Sequence, residues 1–298
     1  MRIDLHAHSR ASDGTDAPAE LVAAAAAAGL DVLGLTDHDT AAGWDEAAQA
    51  AEQHGLALVR GIEISARHRG RGAHLLAYLP DPDHPPLVAQ LARILEGRRD
   101  RLPQTLARLQ GLGIAIDADD VHAANDDAVA PGRPHVADAL VRLGVVADRY
   151  EAFARFLNPG RPAYVERYAA RLTDVLALVR EAGGVSVLAH AWGRRREEVP
   201  DAEDLAGLAA AGLTGLEVDH QEHDPGQRAR LRAIARDLDL VVTGSSDHHG
   251  TGKVDHDLGC NTTDPAEYER LMALAAEAAR VAGRGAERPA DAASRRAR

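Results

Sequence analysis

His6 and His8 close a short apolar run that begins at Ile3. Side chains alternate along a strand, so residues two apart share a face, and the pair is a ready two-nitrogen chelate for a metal ion. An isolated His-x-His is as often two hydrogen-bonded histidines, but this one has company. Thr36-Asp37-His38-Asp39, Gly61-Ile62-Glu63, His74, Leu188-Ala189-His190 and Ser246-Asp247-His248-His249 each place a metal-type side chain at or just after the end of an apolar, β-branched run. Mixed imidazole and carboxylate donors suit Zn, Mn or Fe better than an all-oxygen Ca or Mg cage. There are too many of them for one ion.

The elements that must position these residues alternate. Strands are expected over 3–8, 31–36 and 56–62, separated by a helix from Pro18 to Ala28 that Gly29 stops and a helix capped by Asp39 or Thr40 that His54-Gly55 ends. Nearly continuous apolar strands alternating with helices indicate an α/β protein with a parallel sheet covered by helices. A further strand over 71–79 carries His74, and then the rhythm changes. Residues 85–162 show helical periodicity, over 87–96, 98–112, 118–125, 135–143 and 148–156, without convincing strands, which indicates a helical insertion. Its basic patch, Arg93, Arg98, Arg99 and Arg101, is expected to be a solvated helix face, with contact to an anionic substrate as the lesser alternative. Alternation resumes with strands over 184–189, 215–218 and 240–244 and helices over 174–182, 202–211, 226–237 and 265–283. Seven strands alternating with helices suggest a distorted barrel, in which functional groups collect at the carboxyl ends of the strands. The division expected is barrel over 1–84, insertion over 85–162, barrel again over 163–283, and a polar, disordered tail over 284–298.

Composition removes whole classes of function. A formal net charge of −12 opposes non-specific attraction to nucleic-acid backbones, so no stable duplex binding is expected. Aromatic residues make up 3%, too few for base-stacking platforms. The single cysteine, Cys260, cannot form an intramolecular disulfide. No apolar run approaches membrane-spanning length, and the chain enters a strand without a basic-then-apolar leader. A cytoplasmic protein with no membrane partner is the simplest expectation.

His6-x-His8, Asp13, Thr36-Asp37-His38, Gly61-x-Glu63, His74, Ala189-His190 and Ser246-Asp247-x-His249 together resemble the polymerase and histidinol phosphatase (PHP) family. The resemblance implies a distorted (β/α)7 barrel, metal-dependent phosphoesterase activity, and two or three divalent Mn, Fe or Zn ions. By position, His6, His8, Glu63 and Asp247 would hold one ion, Glu63, His74 and His190 a second, and Asp13, His38 and His249 a third. Asp13 departs from members that carry His there. A hydroxide bridging two such ions would attack phosphorus, since bound metals acidify water. Glu63 and Asp247 would hold the catalytic metals, and Asp37 would orient a ligand histidine.

Gly132-Arg133-Pro134-His135-Val136, Glu217-Val218 followed by His223, and Gly244-Ser245-Ser246-Asp247-His248-His249 with Asp255-His256-Asp257 resemble more loosely the branch of the family with a helical insertion. That branch acts on 3′,5′-nucleotide bisphosphates and on the 5′ ends of short RNAs. Arg133 would then grip a phosphate, His135 or His223 would protonate the leaving alkoxide, and Lys253 would contact substrate. Arg133 as an exposed helix start, and His223 and Lys253 as ordinary loop residues, are the alternatives. The same metal residues would also serve an amidohydrolase, a histidinol-phosphate phosphatase or a non-catalytic metal-binding module.

Overall fold

The computed structural model describes residues 1–123, 131–193 and 199–285. Strands β1 (Ile3–Ala7), β2 (Val32–Leu35), β3 (Ala57–His68), β4 (Arg71–Tyr78), β5 (Ala170–Arg171), β6 (Val185–Leu188), β7 (Gly215–Asp219) and β8 (Val241–Gly244) form one sheet. Seven of them follow one another in the order β1-β2-β3-β4-β6-β7-β8, and β5 adds to the far end of β3 at Ala66 and Arg67. The two ends of this path nearly meet. Ala7 bridges His248, the His8 amide donates to the His248 carbonyl at 2.9 Å, and the Asp247 amide donates to the His6 carbonyl at 2.9 Å. The result is a nearly closed, distorted barrel.

The distortion is β4. It runs antiparallel to both β3 and β6, whereas the other pairings are parallel. Arg69 and Gly70 both take positive φ, 48° and 79°, and close a two-residue turn too short for a crossover helix, so the chain can only reverse. The third strand therefore does not stop at Ile62. Buried Ile62, Ile64 and Ala66 continue the alternation to His68, and Glu63 sits mid-strand opposite Leu76. Because β2 ends at Leu35, Glu63 still lies beyond the parallel part of the sheet, where His38 bridges it.

Helix α1 (Pro18–Ala27) begins with proline at its first turn, and α2 (Trp44–His54) ends on Gly55 at φ 65°. The expected cap at Asp39 or Thr40 is not used. Helix α2 starts at Trp44, whose indole donates to the Gly61 carbonyl at 2.9 Å, because the Asp39 carboxylate is occupied elsewhere. Helix α3 (Pro85–Gly111) is continuous, where two helices meeting near Gly97 were expected. A Cβ on Gly97 would lie 3.1 Å from the Tyr168 Cβ, so glycine here permits close packing rather than ending the helix. The first half of α3 buries Leu87, Leu91 and Ile94 in the barrel's core. Its second half gives Leu106 and Leu109 to a separate core shared with α4 (Ala118–His122), α5 (Arg133–Arg142), α6 (Arg149–Ala152) and a π-helical turn at Phe153–Leu157. One helix thus serves both the barrel and the cap. The end of the expected 118–125 helix lies outside the described residues.

Helices α7 (Leu172–Glu181), α8 (Ala202–Ala210) and α9 (Pro225–Asp237) join α1 and α2 in covering the sheet, and α10 (Pro265–Val281) packs Leu271 and Ala275 against Ile3, Leu5 and Val241. Asp201, Asp224 and Asp264 cap α8, α9 and α10. Arg284 is anchored, donating to the Leu79 and Ala182 carbonyls at 3.1 Å each. The expected disordered tail otherwise falls on 286–298, outside the described residues. No described helix is long and apolar enough to cross a membrane.

Candidate metal centre

β1 carries His6 and His8 side by side, their Nε2 atoms 3.0 Å apart. Two nitrogens that close need either a shared proton or a shared cation. The His6 Nδ1–H donates to Glu217 at 2.9 Å, which turns Nε2 inward toward Glu63 and Asp247. Glu217 also accepts from the His190 amide at 2.8 Å and from the Ser245 hydroxyl, so its charge is fully used as a buried clamp. Nothing in its role required motif knowledge. A glutamate inside the apolar run Gly215-Leu216-Glu217-Val218 signals a buried charge that must have partners.

Glu63 is the centre of the array. One of its oxygens lies 2.7 Å from His74 Nδ1 and 3.1 Å from His190 Nε2. The other lies 3.0 Å from His38 Nδ1, 3.2 Å from His8 Nε2 and 3.4 Å from His6 Nε2. A carboxylate with imidazoles on both oxygens has the geometry of a bridge. Asp247 faces the first pair from the other side, its Oδ1 at 3.4 Å from both His6 and His8 Nε2. Asp13 Oδ1 lies 3.3 Å from His249 Nε2, and its Oδ2 lies 3.7 Å from His38 Nε2. His249 donates Nδ1–H to the Asp247 carbonyl, leaving Nε2 bare.

Among the described residues four groups could each hold an ion: His6, His8 and Asp247; His38, Glu63 and His74; His8, Asp13, His38 and His249; and, on the outer side of Asp247, His220, Asp247 and His256. The structure thus brings together all nine residues expected from the sequence. It divides them differently, because His38 faces Glu63 with one nitrogen and Asp13 with the other. The donor set fits divalent cations. Asp13 Oδ1 and His38 Nδ1 are buried with no hydrogen-bond partner among the described residues. Burial works against charge on Asp13, Glu63 and Asp247, yet the surrounding histidines, joined by Lys253 at Asp247, hold all three well below the usual carboxylate range. Burial likewise opposes a charged His8, but Asp247 and Glu63 raise it to about 9, whereas burial and the neighbouring His8 push His249 down to about 4. The cage as a whole favours positive charge.

The backbone here is strained. Asp39, His190 and Asp247 take φ of 59°, 29° and 54°, each a cost of roughly 1–3 kcal/mol tolerated where the surroundings fix the conformation. Asp37 does not orient a histidine. Its carboxylate accepts from the Ser9 amide at 2.8 Å and from both the Ser9 and Ser12 hydroxyls at 2.6 Å, pinning the loop that carries Asp13.

The expected substrate residues separate into two kinds. His135 Nδ1 accepts the Gly132 amide at 2.8 Å, which puts its proton on Nε2, and the ring lines a recess with Asp13, His38 and Arg98. Lys253 pairs directly with Asp247, beside His220, which the sequence reading did not single out. His220 Nδ1 accepts the Glu222 amide, so its Nε2–H is the donor to Asp247, 3.2 Å away. Arg133 donates to the Leu157 carbonyl at 3.1 Å and lies over Phe153 and Tyr164. His223 differs from expectation. Its Nδ1–H donates to the Val218 carbonyl at 2.9 Å and its Nε2 accepts the Trp192 amide at 3.1 Å, so both nitrogens are committed to backbone. Neither is left to protonate a leaving group.

A PHP domain model matches residues 4–100. The chain is 35% identical over 257 residues to a 3′,5′-nucleoside bisphosphate phosphatase of Chromobacterium violaceum, covering 86% of this chain and 90% of that protein. It is 35% identical over 248 residues to a 5′-3′ exoribonuclease of Haemophilus influenzae, covering 83% and 90%. The chain belongs to the PHP family. The solved structure of a Bifidobacterium adolescentis protein named as a metal-dependent phosphoesterase superposes with a TM-score of 0.87 at 39% identity, over 91% of this PHP chain and 96% of that one. This PHP protein is therefore an enzyme, a metal-dependent phosphoesterase with histidine and carboxylate clusters that could hold divalent metals.

Proposed function

We propose that this PHP enzyme hydrolyses a phosphate ester of a small nucleotide, a 3′,5′-bisphosphate or the 5′ end of a short RNA, with Mn, Fe or Zn held by His6, His8, Asp13, His38, Glu63, His74, His190, Asp247 and His249. The observation that carries the reading is Glu63, whose two oxygens each face imidazole nitrogens at 2.7–3.4 Å. The named relatives supply the substrate class, since one acts on nucleoside bisphosphates and another is an exoribonuclease.

Divalent ions there would supply an acidified water as nucleophile and neutralise charge on the phosphate oxygens. The chain's own residues do the positioning. Glu217 holds His6 with its Nε2 turned inward, and the Asp37 clamp on Ser9 and Ser12 fixes Asp13. His135 is kept neutral by burial, with its proton on Nε2, so it acts as a hydrogen-bond donor from the cap side of the recess. Lys253 and His220 neutralise the outer oxygen of Asp247, and Arg133 offers a guanidinium from the start of α5.

Metal analysis of the purified protein, with a phosphate-release screen over nucleotide monophosphates, bisphosphates, histidinol phosphate and short 5′-phosphorylated RNA, tests this. Two or three transition-metal ions per chain and turnover of bisphosphate or RNA ends are expected. A protein that binds no such ion, or that prefers histidinol phosphate, would refute the reading.

A further inference from the structure

Asp247, like Glu63, is a buried carboxylate with imidazoles on both of its oxygens. Its Oδ1 lies 3.4 Å from the Nε2 atoms of His6 and His8, and its Oδ2 lies 3.2 Å from the Nε2 of His220. On that outer side His220, Asp247 and His256 are all buried and each offers one donor atom within 4.8 Å of the others. His256 is set as a metal ligand would be. Its Nδ1–H donates to the Ser246 carbonyl at 2.6 Å, and burial, then Lys253, push it down to about 4, so the ring is neutral and Nε2 keeps its lone pair. One feature separates Asp247 from Glu63: Lys253 Nζ pairs with the outer oxygen.

Lys253 reaches back to Asp247 from six residues further on, which the intervening loop permits by folding tightly. Gly250 takes φ 63°, and a Cβ there would overlap Thr15 Oγ1. The Gly252 amide donates to the His249 carbonyl at 3.2 Å and the Thr251 amide to Thr15 Oγ1 at 3.0 Å. From the cap, Arg149 donates to the Gly252 carbonyl at 3.0 Å. The backbone that carries Lys253 is thus fixed from two sides, by the loop after β1 and by α6. The lysine side chain is 22% exposed where that of Asp247 is 3% exposed, so it closes the cluster from the solvent side. Burial opposes charge on Asp247, and Lys253 is the largest of the charges that outweigh it. An ammonium is a compact point charge with three donors, the nearest thing in a protein to a small bound cation.

We propose that the Lys253 ammonium fills a fourth cation position, bounded by Asp247, His256 and His220, and that a divalent transition metal takes this position when the ammonium is removed. Asp247 is then half of a bridge. It gives Oδ1 to the cage and Oδ2 to the protein's own cation, whereas both oxygens of Glu63 face imidazoles. The ion's ligands in the absence of Lys253 are Asp247 Oδ2, His256 Nε2 and water, and His220 adds its Nε2 on giving up its bond to the Glu222 amide. Imidazole and carboxylate donors of this kind suit Mn, Co or Zn. Lys253 therefore limits how many ions the cage accepts and keeps Asp247 serving the His6 and His8 side. The inference rests on the reading of the adjoining cage as a metal centre.

Equilibrium dialysis of the full chain against cobalt(II), with metal counted per chain, tests this by difference. Lys253→Met and Lys253→Gln should each bind one ion more than wild type, and Lys253→Arg, which keeps a cation, should bind the same number as wild type. Combining Lys253→Met with His256→Ala should bring the count back to the wild-type value, because the added ion loses its imidazole. Far-ultraviolet dichroism checks that each variant is folded, and the two neutral substitutions guard against the failure of either one. A count unchanged from wild type in the folded neutral variants, or an added ion that survives His256→Ala, overturns the fourth position. Wild type that binds no cobalt while Lys253→Met gains one ion refutes the reading of the cage and leaves the fourth position standing.

Discussion

Glu63 shares its two oxygens among five imidazoles, so it is the residue whose charge the cage can least lose. Glu63→Gln keeps the shape and removes the charge. It should lower bound metal per chain and turnover more than His6→Ala or Asp13→Ala, as metal analysis and steady-state rates will show; full loading with normal turnover would remove the bridging assignment. Glu217 touches no bare donor except through His6, and Glu217→Gln should weaken metal affinity about 10- to 100-fold while the far-ultraviolet dichroism stays native. Competition with a metallochromic chelator measures this, and undiminished affinity would mean that His6 orients itself. His6-x-His8 is readable from spacing alone. The partners of Glu217, 211 residues from His6, are not.

At the scale of elements, Asp39 joins three of them: it stands after β2, bonds Ser65 on β3 at 2.6 and 2.8 Å, and pairs with Arg98 on α3. Burial opposes its charge, but Arg98, Arg167 and His38 outweigh this and lower it below the ordinary carboxylate value. Because the folded value is depressed, the stabilisation is complete above the unfolded pKa of ~3.9 and is lost as pH falls through the folded one. Asp39→Asn should therefore cost about 3–5 kcal/mol near neutrality, the scale for breaking a buried pair. The gap from wild type in urea unfolding should be flat from about pH 5 to 8 and close below about pH 4. A gap independent of pH would mean that Asp39 is not ionised in the native protein. The sequence pointed to a helix cap at this position, since Asp followed by Thr is a common start signal. The tertiary demand of a buried arginine prevailed over the local one.

For the whole molecule, the cap is not a separable bead on the barrel, because α3 belongs to both cores. Excising 85–162 would strip Leu87, Leu91 and Ile94 from the barrel and should abolish folding. Excising 104–162 keeps them, and should preserve metal binding while erasing the preference for bisphosphate over aryl phosphate. Dichroism, metal stoichiometry and the ratio of the two rates decide this, and a shortened protein with unchanged preference would place selectivity in the barrel. The alternation of strands and helices, the seven strands of the barrel path and the metal-type residues they carry were legible in the chain, because each depends on patterns spanning a few residues, although Glu63 and His74 lie within β3 and β4 rather than at strand ends. Partnership was not legible. That Arg98 and Arg101 are buried rather than solvated, that His223 is locked to backbone, that β4 runs backwards, and that His38 faces two carboxylates at once follow from contacts between residues far apart in sequence. Residue types and spacing determine which groups can do chemistry; only the closing of the barrel and the seating of the cap decide which charge each group meets, since charge interactions depend on distance and burial rather than on order along the chain.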